Sequence, residues 1–141
     1  MWNHIDGKLG SSIYNSRGFY GVLRLYDGTS ETGGDYRSLF HGHILHGDQY
    51  LNGELRYEPT AYYGKNSGVG IAINNHPSRD FDNKPLTVGG VGLGAGTIAA
   101  YGEKGDQFYF YEINPQIDFI ANHYFSYLED SKASNHVILG D

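Results

Sequence analysis

Along this chain, short apolar runs separated by turn residues give way, after a linker, to alternating strand and helix patterns. Phe19-Tyr-Gly-Val-Leu-Arg-Leu-Tyr26 and Tyr36-Arg-Ser-Leu-Phe-His-Gly-His-Ile-Leu-His46 predict strands. Asp27-Gly28 between them reads as a hairpin turn. The second run reads as one strand, or as two with a bend at Gly42. Ser67-Gly-Val-Gly-Ile-Ala-Ile-Asn74 predicts a short helix capped by Ser67. His76-Pro-Ser-Arg-Asp-Phe-Asp-Asn-Lys-Pro85 is rich in turn formers and reads as a linker.

Beyond the linker the pattern predicts strands near 86–92, 107–112 and 136–140, with helices between them. The first helix, about 96–103, is short and ends at Gly102. The second opens with Asn114 as N-cap and Pro115 at its first position. Ile117, Ile120, Ala121, Tyr124, Phe125 and Leu128 then recur at helical spacing and are predicted core. Alternating β and α with short connections predicts a parallel sheet with right-handed crossovers. The fold class expected is α/β. A β-rich region over 1–75 and a linker over 76–85 precede a βαβαβ half over 86–141. A doubly wound sheet places its next strand beyond the first, and no such strand is present. The expectation is therefore a fragment, or an edge covered by self-association or by the remainder of a parent chain.

The glycines of the first strand–helix turn carry the candidate chemistry. Gly92-Leu-Gly94-Ala-Gly96 follows a strand and precedes a helix, and Glu112 lies 20 residues after Gly92. Turn glycines let the backbone approach a ligand, and an acid at that spacing suits ribose hydroxyls. Gly90-Val-Gly92-Leu-Gly-Ala95 also fits a dinucleotide fingerprint, but it leaves only Leu86 to Gly89 for the strand. Starting the turn at Gly92 leaves a strand of ordinary length. An S-adenosyl thioether is therefore favoured over NAD(P), which stays as an alternative.

Composition narrows the classes. The 141 residues hold 10 basic and 16 acidic side chains, a net charge of −6. That balance argues against nucleic acid as the main partner. With no cysteine, thiolate chemistry and Cys-based zinc sites are excluded. No apolar run approaches the ~20 residues of a membrane span, and a cytoplasmic location is expected. The 21 glycines and 13 tyrosines suit turn-rich β structure with amphipathic packing.

His41 and His43 share a face if the segment is one strand, with His46 on the other parity. Metal binding by them is disfavoured. His46 reads as lining for the nucleoside site, or as a structural histidine. Gln49 is a hydrogen-bonding candidate for a ribose or thioether tail, or else a surface residue beside a turn. Tyr62 or Tyr63 would close over a ligand or pack at the junction.

His41-Gly-His-Ile-Leu-His-Gly-Asp-Gln49, Pro59-Thr-Ala-Tyr-Tyr-Gly-Lys-Asn-Ser-Gly-Val-Gly70, Gly92-Leu-Gly-Ala-Gly-Thr97, Tyr111-Glu-Ile-Asn-Pro115 and Gly140-Asp141 together resemble the spermidine synthase family. The likeness is closer to the spermidine synthase-like domains fused to bacterial major-facilitator-like membrane segments. It implies a small N-terminal β domain and a class I methyltransferase-like Rossmann domain. It also implies decarboxylated S-adenosylmethionine or S-adenosylmethionine as cofactor, with a polyamine as second ligand. By resemblance, Gly92, Gly94 and Gly96 form the cofactor loop, Glu112 binds the ribose and Asp141 lies beside the adenine. Phe40-His41-Gly42 falls where the synthases line the polyamine pocket. Two departures stand out. Ala95 replaces an Asp, and Gly42 replaces an acid. The paired catalytic aspartates would lie beyond Asp141, so no catalytic residue is assigned. A non-catalytic module that senses an S-adenosyl ligand is the competing reading.

Overall fold

The computed structural model describes residues 7–80 and 84–140. Four antiparallel strands come first: β1 (Gly7–Gly18), β2 (Gly21–Ser30), β3 (Asp35–His41) and β4 (Ile44–Tyr50), in the order β1-β2-β3-β4. Three parallel strands follow: β5 (Thr87–Val91), β6 (Gln107–Glu112) and β7 (Ser134–Leu139), in the order β5-β6-β7. Between the sheets lie a 3-10 helix (Glu54–Tyr57), α1 (Gly68–Asn74) and α2 (Pro77–Asp80). A 3-10 helix (Thr97–Tyr101) connects β5 to β6, and α3 (Pro115–Tyr124) with α4 (Tyr127–Asp130) connects β6 to β7. The architecture is mixed α/β, an antiparallel sheet followed by a parallel one with few helices.

Asp27-Gly28 is not a turn. Both residues lie inside β2, whose register with β3 runs unbroken from Leu23↔His41 to Thr29↔Asp35. The Asp27 carboxylate instead accepts two hydrogen bonds from Arg37 on β3, at 2.7 and 2.8 Å. A Cβ on Gly28 would stand 2.9 Å from the Tyr36 ring, so this glycine serves a close approach. The actual bend falls at Gly42, which separates β3 from β4.

The two helix caps follow the local chemistry. The Ser67 side chain accepts from the Gly70 N–H, and the Asn114 side chain accepts from the Gln116 N–H, with Pro115 opening α3. The helix expected to run through Leu128 is broken at Phe125 and Ser126. Gln49 accounts for the break, because its amide takes the Ser126 N–H at 2.9 Å and donates to the Ser126 hydroxyl at 2.8 Å. Leu128 then falls on α4.

Strand order fixes which face of the parallel sheet is covered. Successive steps from β5 to β6 to β7 go one way, so right-handed crossovers put both connections on one face. On that face Phe108, Phe110 and Glu112 are buried, with Val88 and Val137 beside them. The antiparallel sheet docks on the same side. Tyr14 of β1 meets Phe119 and Tyr124 of α3, and Arg37 donates to the Tyr124 carbonyl at 2.9 Å. One apolar cluster joins Leu23, Leu25 and Leu39 to Phe108, Phe110, Ile117 and Ile120. The opposite face carries Thr87, Gly89, Val91, Tyr111 and Ile138, all exposed.

Candidate functional site

The glycine turn sits at the carboxyl end of β5, beneath β4. Gly92, Gly94 and Gly96 have φ of 90°, 57° and 80°. A Cβ on Gly94 would lie 2.9 Å from the His46 carbonyl oxygen, whereas the same position at Gly92 faces open space. Gly94 is therefore a glycine by both conformation and space. A second contact locks the turn to β4, because a Cβ on Gly47 would come within 2.7 Å of the Ala95 Cβ. Ala95 is buried against Gly47, which gives its small size a packing reason.

Glu112 ends β6 on the covered face and is 7% exposed. Its Oε2 accepts the Leu93 N–H at 2.9 Å and its Oε1 accepts the Asn114 N–H at 2.8 Å. One carboxylate thus ties the glycine turn to the start of α3. Hydrogen bonds to an ionised acceptor are about twice as strong as neutral ones. Each oxygen keeps a further acceptor direction, which a hydroxyl can use.

The turn's amides are largely spent on the fold. Gly92 N–H donates to Tyr111, Leu93 N–H to Glu112 and Gly96 N–H to Leu93. The element that follows is a five-residue 3-10 helix, shorter than the helix expected over 96–103. It supplies little macrodipole, since that effect builds over aligned peptide units.

His46 lies beside this turn, and strand parity misjudged its neighbour. His41 and His46 face each other across the β3–β4 hairpin, with ring centroids 5.3 Å apart. The hairpin bulge between Leu39 and Phe40 shifts the register that parity assumes. The His41 Nε2 bonds the Tyr20 carbonyl. A carbonyl only accepts, so Nε2 carries the proton. Burial lowers the His46 pKa below its ordinary 6.5, the neighbouring His41 lowers it further, and Glu112 opposes both. His43 is exposed at the turn. Among the described residues no group of three or more His, Cys, Asp or Glu is placed to hold a metal ion.

The other expected residues sit apart from this cluster. Gln49 is 2% exposed and its amide also donates to the Arg56 carbonyl at 3.0 Å. It is committed to joining β4, the Glu54–Tyr57 helix and Ser126. The Tyr63 carbonyl accepts from the Tyr101 hydroxyl at 2.5 Å, and burial raises the Tyr63 pKa. The Tyr101 hydroxyl is pushed up to about 12 by burial, then by the charge of Glu58. Gly42 has φ of 62° in the hairpin turn, and its N–H donates to Val22. Phe40 packs edge-on against Tyr26 at 5.6 Å. Asp141 lies outside the described residues.

Two features were not foreseen. Asp48 is fully buried and accepts the Ser38 hydroxyl at 2.6 Å, while Tyr127 donates to the Asp48 carbonyl at 2.9 Å. Asp48 had been read as part of a turn beside Gly47. Its place between two residues later found buried, Gly47 and Gln49, was the available signal. The second feature is a cavity of 510 Å³ at the far end of the Thr97–Tyr101 helix. Tyr57, Glu58, Lys65, Tyr101, Tyr127 and Lys132 help line it, and none of the glycine-turn residues does. Its charges are largely self-compensated, with Lys65–Glu58 at 2.6 Å and Arg79–Glu103 at 3.0 Å. It supplies no nucleophile–base pair.

No family model matches the chain, and no curated protein matches it. Among the described residues no helix is long and apolar enough to cross a membrane.

Proposed function

We propose that this chain binds an S-adenosyl-type nucleoside thioether at the carboxyl end of the parallel sheet, as the first part of a spermidine synthase-like transferase domain. In this reading β5 to β7 are the first half of a class I methyltransferase-like Rossmann sheet. One observation carries it. A turn of three positive-φ glycines is held by Glu112, the acid at the end of the neighbouring strand. Open α/β sheets bind ligands in that position. Gly92 faces open space, so a ligand can meet the turn there. Ribose hydroxyls would add to Glu112 through its remaining acceptor directions.

A non-catalytic sensing module is the second reading, favoured by Ala95 and Gly42. Aminopropyl transfer needs an anion to hold the amine and a base to deprotonate it. Ala95 is packed against Gly47, and Gly42 forms a turn. Neither position provides a carboxylate. A polyamine as second ligand rests on the resemblance alone.

Titration calorimetry tests the reading with S-adenosylhomocysteine, methylthioadenosine, decarboxylated S-adenosylmethionine and NAD. Binding of the S-adenosyl compounds without NAD is expected. Binding of NAD alone would replace the reading with a dinucleotide site.

A further inference from the structure

The histidine pair beside the glycine turn has no role in holding the nucleoside as described so far. Its placement still bears on which ligand the site prefers. Gly94 and His46 are in contact through the His46 carbonyl. A nucleoside held at Glu112 by its 2′ and 3′ hydroxyls must direct its 5′ substituent away from that carboxylate. The glycine turn is the surface that admits close approach there. In an S-adenosyl compound the atom just beyond the 5′ carbon is sulfur.

We propose that His41 and His46 read the charge on that sulfur, so that a proton taken up by the pair disfavours a sulfonium ligand relative to the neutral thioether. This rests on the nucleoside reading above. The rings are 5.3 Å apart, one anchored to the Tyr20 carbonyl and the other half-buried beside the turn. Two interacting imidazoles titrate as a unit, and the first proton makes the second harder to add. The charged and titratable groups acting on His46 are His41 from β3 and Glu112 from β6. Glu112 attracts a cationic pair and a cationic ligand alike, so it stays on both sides of the comparison. The pair itself is what changes charge. Above about pH 7.5 it is neutral and the two ligands differ little. Below the ordinary histidine value of 6.5 it gains positive charge, later for His46 than for a free imidazole because its pKa is lowered. A unit charge ~6 Å away, across an effective dielectric of ~40–80, changes relative affinity by about 3–10-fold.

S-Adenosylmethionine and S-adenosylhomocysteine share the nucleoside and the amino-acid tail. They differ by the methyl group and the charge it places on sulfur. Calorimetry with both ligands from about pH 8.5 to pH 5 isolates the effect. The expected result is a ratio of dissociation constants, sulfonium over thioether, that rises about 3–10-fold toward acid pH. The slope should flatten in His46→Gln and in His41→Asn. The thioether's own affinity across the range reports that the site stays intact. A ratio that does not change with pH, while the thioether binds, overturns this inference alone. Failure of both ligands at every pH overturns the nucleoside reading and this inference with it. The wild-type ratio needs no variant, so a misfolding substitution does not decide the outcome.

Discussion

The two faces of the parallel sheet are built from the same three strands and could hardly differ more. One face holds Phe108, Phe110 and Glu112, all buried under α3, the Thr97–Tyr101 helix and the antiparallel sheet. The other holds Val91, which is 96% exposed, with Tyr111 and Ile138 also open. Along β6 the alternation is plain: Phe108, Phe110 and Glu112 point in, while Gln107, Tyr109 and Tyr111 point out. Composition does not separate the faces, since both are rich in aromatic and β-branched residues. Topology does. Two crossovers of one hand, taken in one direction, cover one side only. Parallel sheets in α/β proteins generally have both faces covered. The outer face therefore tells where further structure would add, and the inner face tells where the chain's own stability and candidate site reside.

The sharpest way to break this contrast is to empty the covered face. Phe108 is fully buried between the sheet and the helices. Phe108→Ala should cost about 3–5 kcal/mol, from lost transfer energy and the cavity left behind. Denaturant unfolding would measure it. A cost below about 1 kcal/mol would mean that this face is not the core.

Glu112 is the polar member of the same face. Its two oxygens accept two buried backbone N–H groups. Glu112→Gln keeps the shape but replaces one acceptor by an NH₂, which then faces the N–H of Leu93 or Asn114. An unsatisfied buried donor and a lost charge-assisted bond together cost about 1–3 kcal/mol. The loss should show as lower stability without ligand, and as faster amide exchange at Leu93 and Asn114. Unaltered exchange at both amides would show that the carboxylate does not hold the turn.

The sequence made this division half legible. The glycine turn, the Asn114-Pro115 cap and the three parallel strands follow from local chemistry, and each falls within a few residues of its expected place. Residue chemistry that depends on a partner was harder to read. Asp27-Gly28 has the composition of a turn, yet Arg37 and Tyr36 on the neighbouring strand use both residues inside β2. The helical period through Leu128 was continuous, yet Gln49, far away in sequence, captures Ser126 and ends α3 early. Gln49 itself was read as a ligand contact because its amide partners lie on other elements. His41 and His46 were judged by strand parity, which describes neighbours on one strand and not those across a hairpin. Glu112 was found by spacing, but its backbone bonds were not, because they depend on how the two turns meet.

The smallest effect should come from the open face, and it tests the contrast from the other side. Val91 ends β5 with 96% of its surface exposed. Removing an apolar side chain costs stability in proportion to the area it withdraws from water on folding, and Val91 withdraws almost none. Lysine at this position would place its ammonium in solvent, where desolvation costs nothing. Lysine has a lower strand preference than valine, but that scale spans only ~1 kcal/mol and weakens at an edge. Val91→Lys should therefore change unfolding free energy by no more than about 0.5 kcal/mol, the usual range for surface positions. An exposed apolar edge is also a template for association, so the variant should remain monomeric to higher concentration, as read by light scattering. A loss above about 1 kcal/mol, together with a melting temperature that depends on protein concentration in the wild type alone, would show that this face is packed against another surface in solution. The two faces would then be alike in burial and would differ only in what covers them.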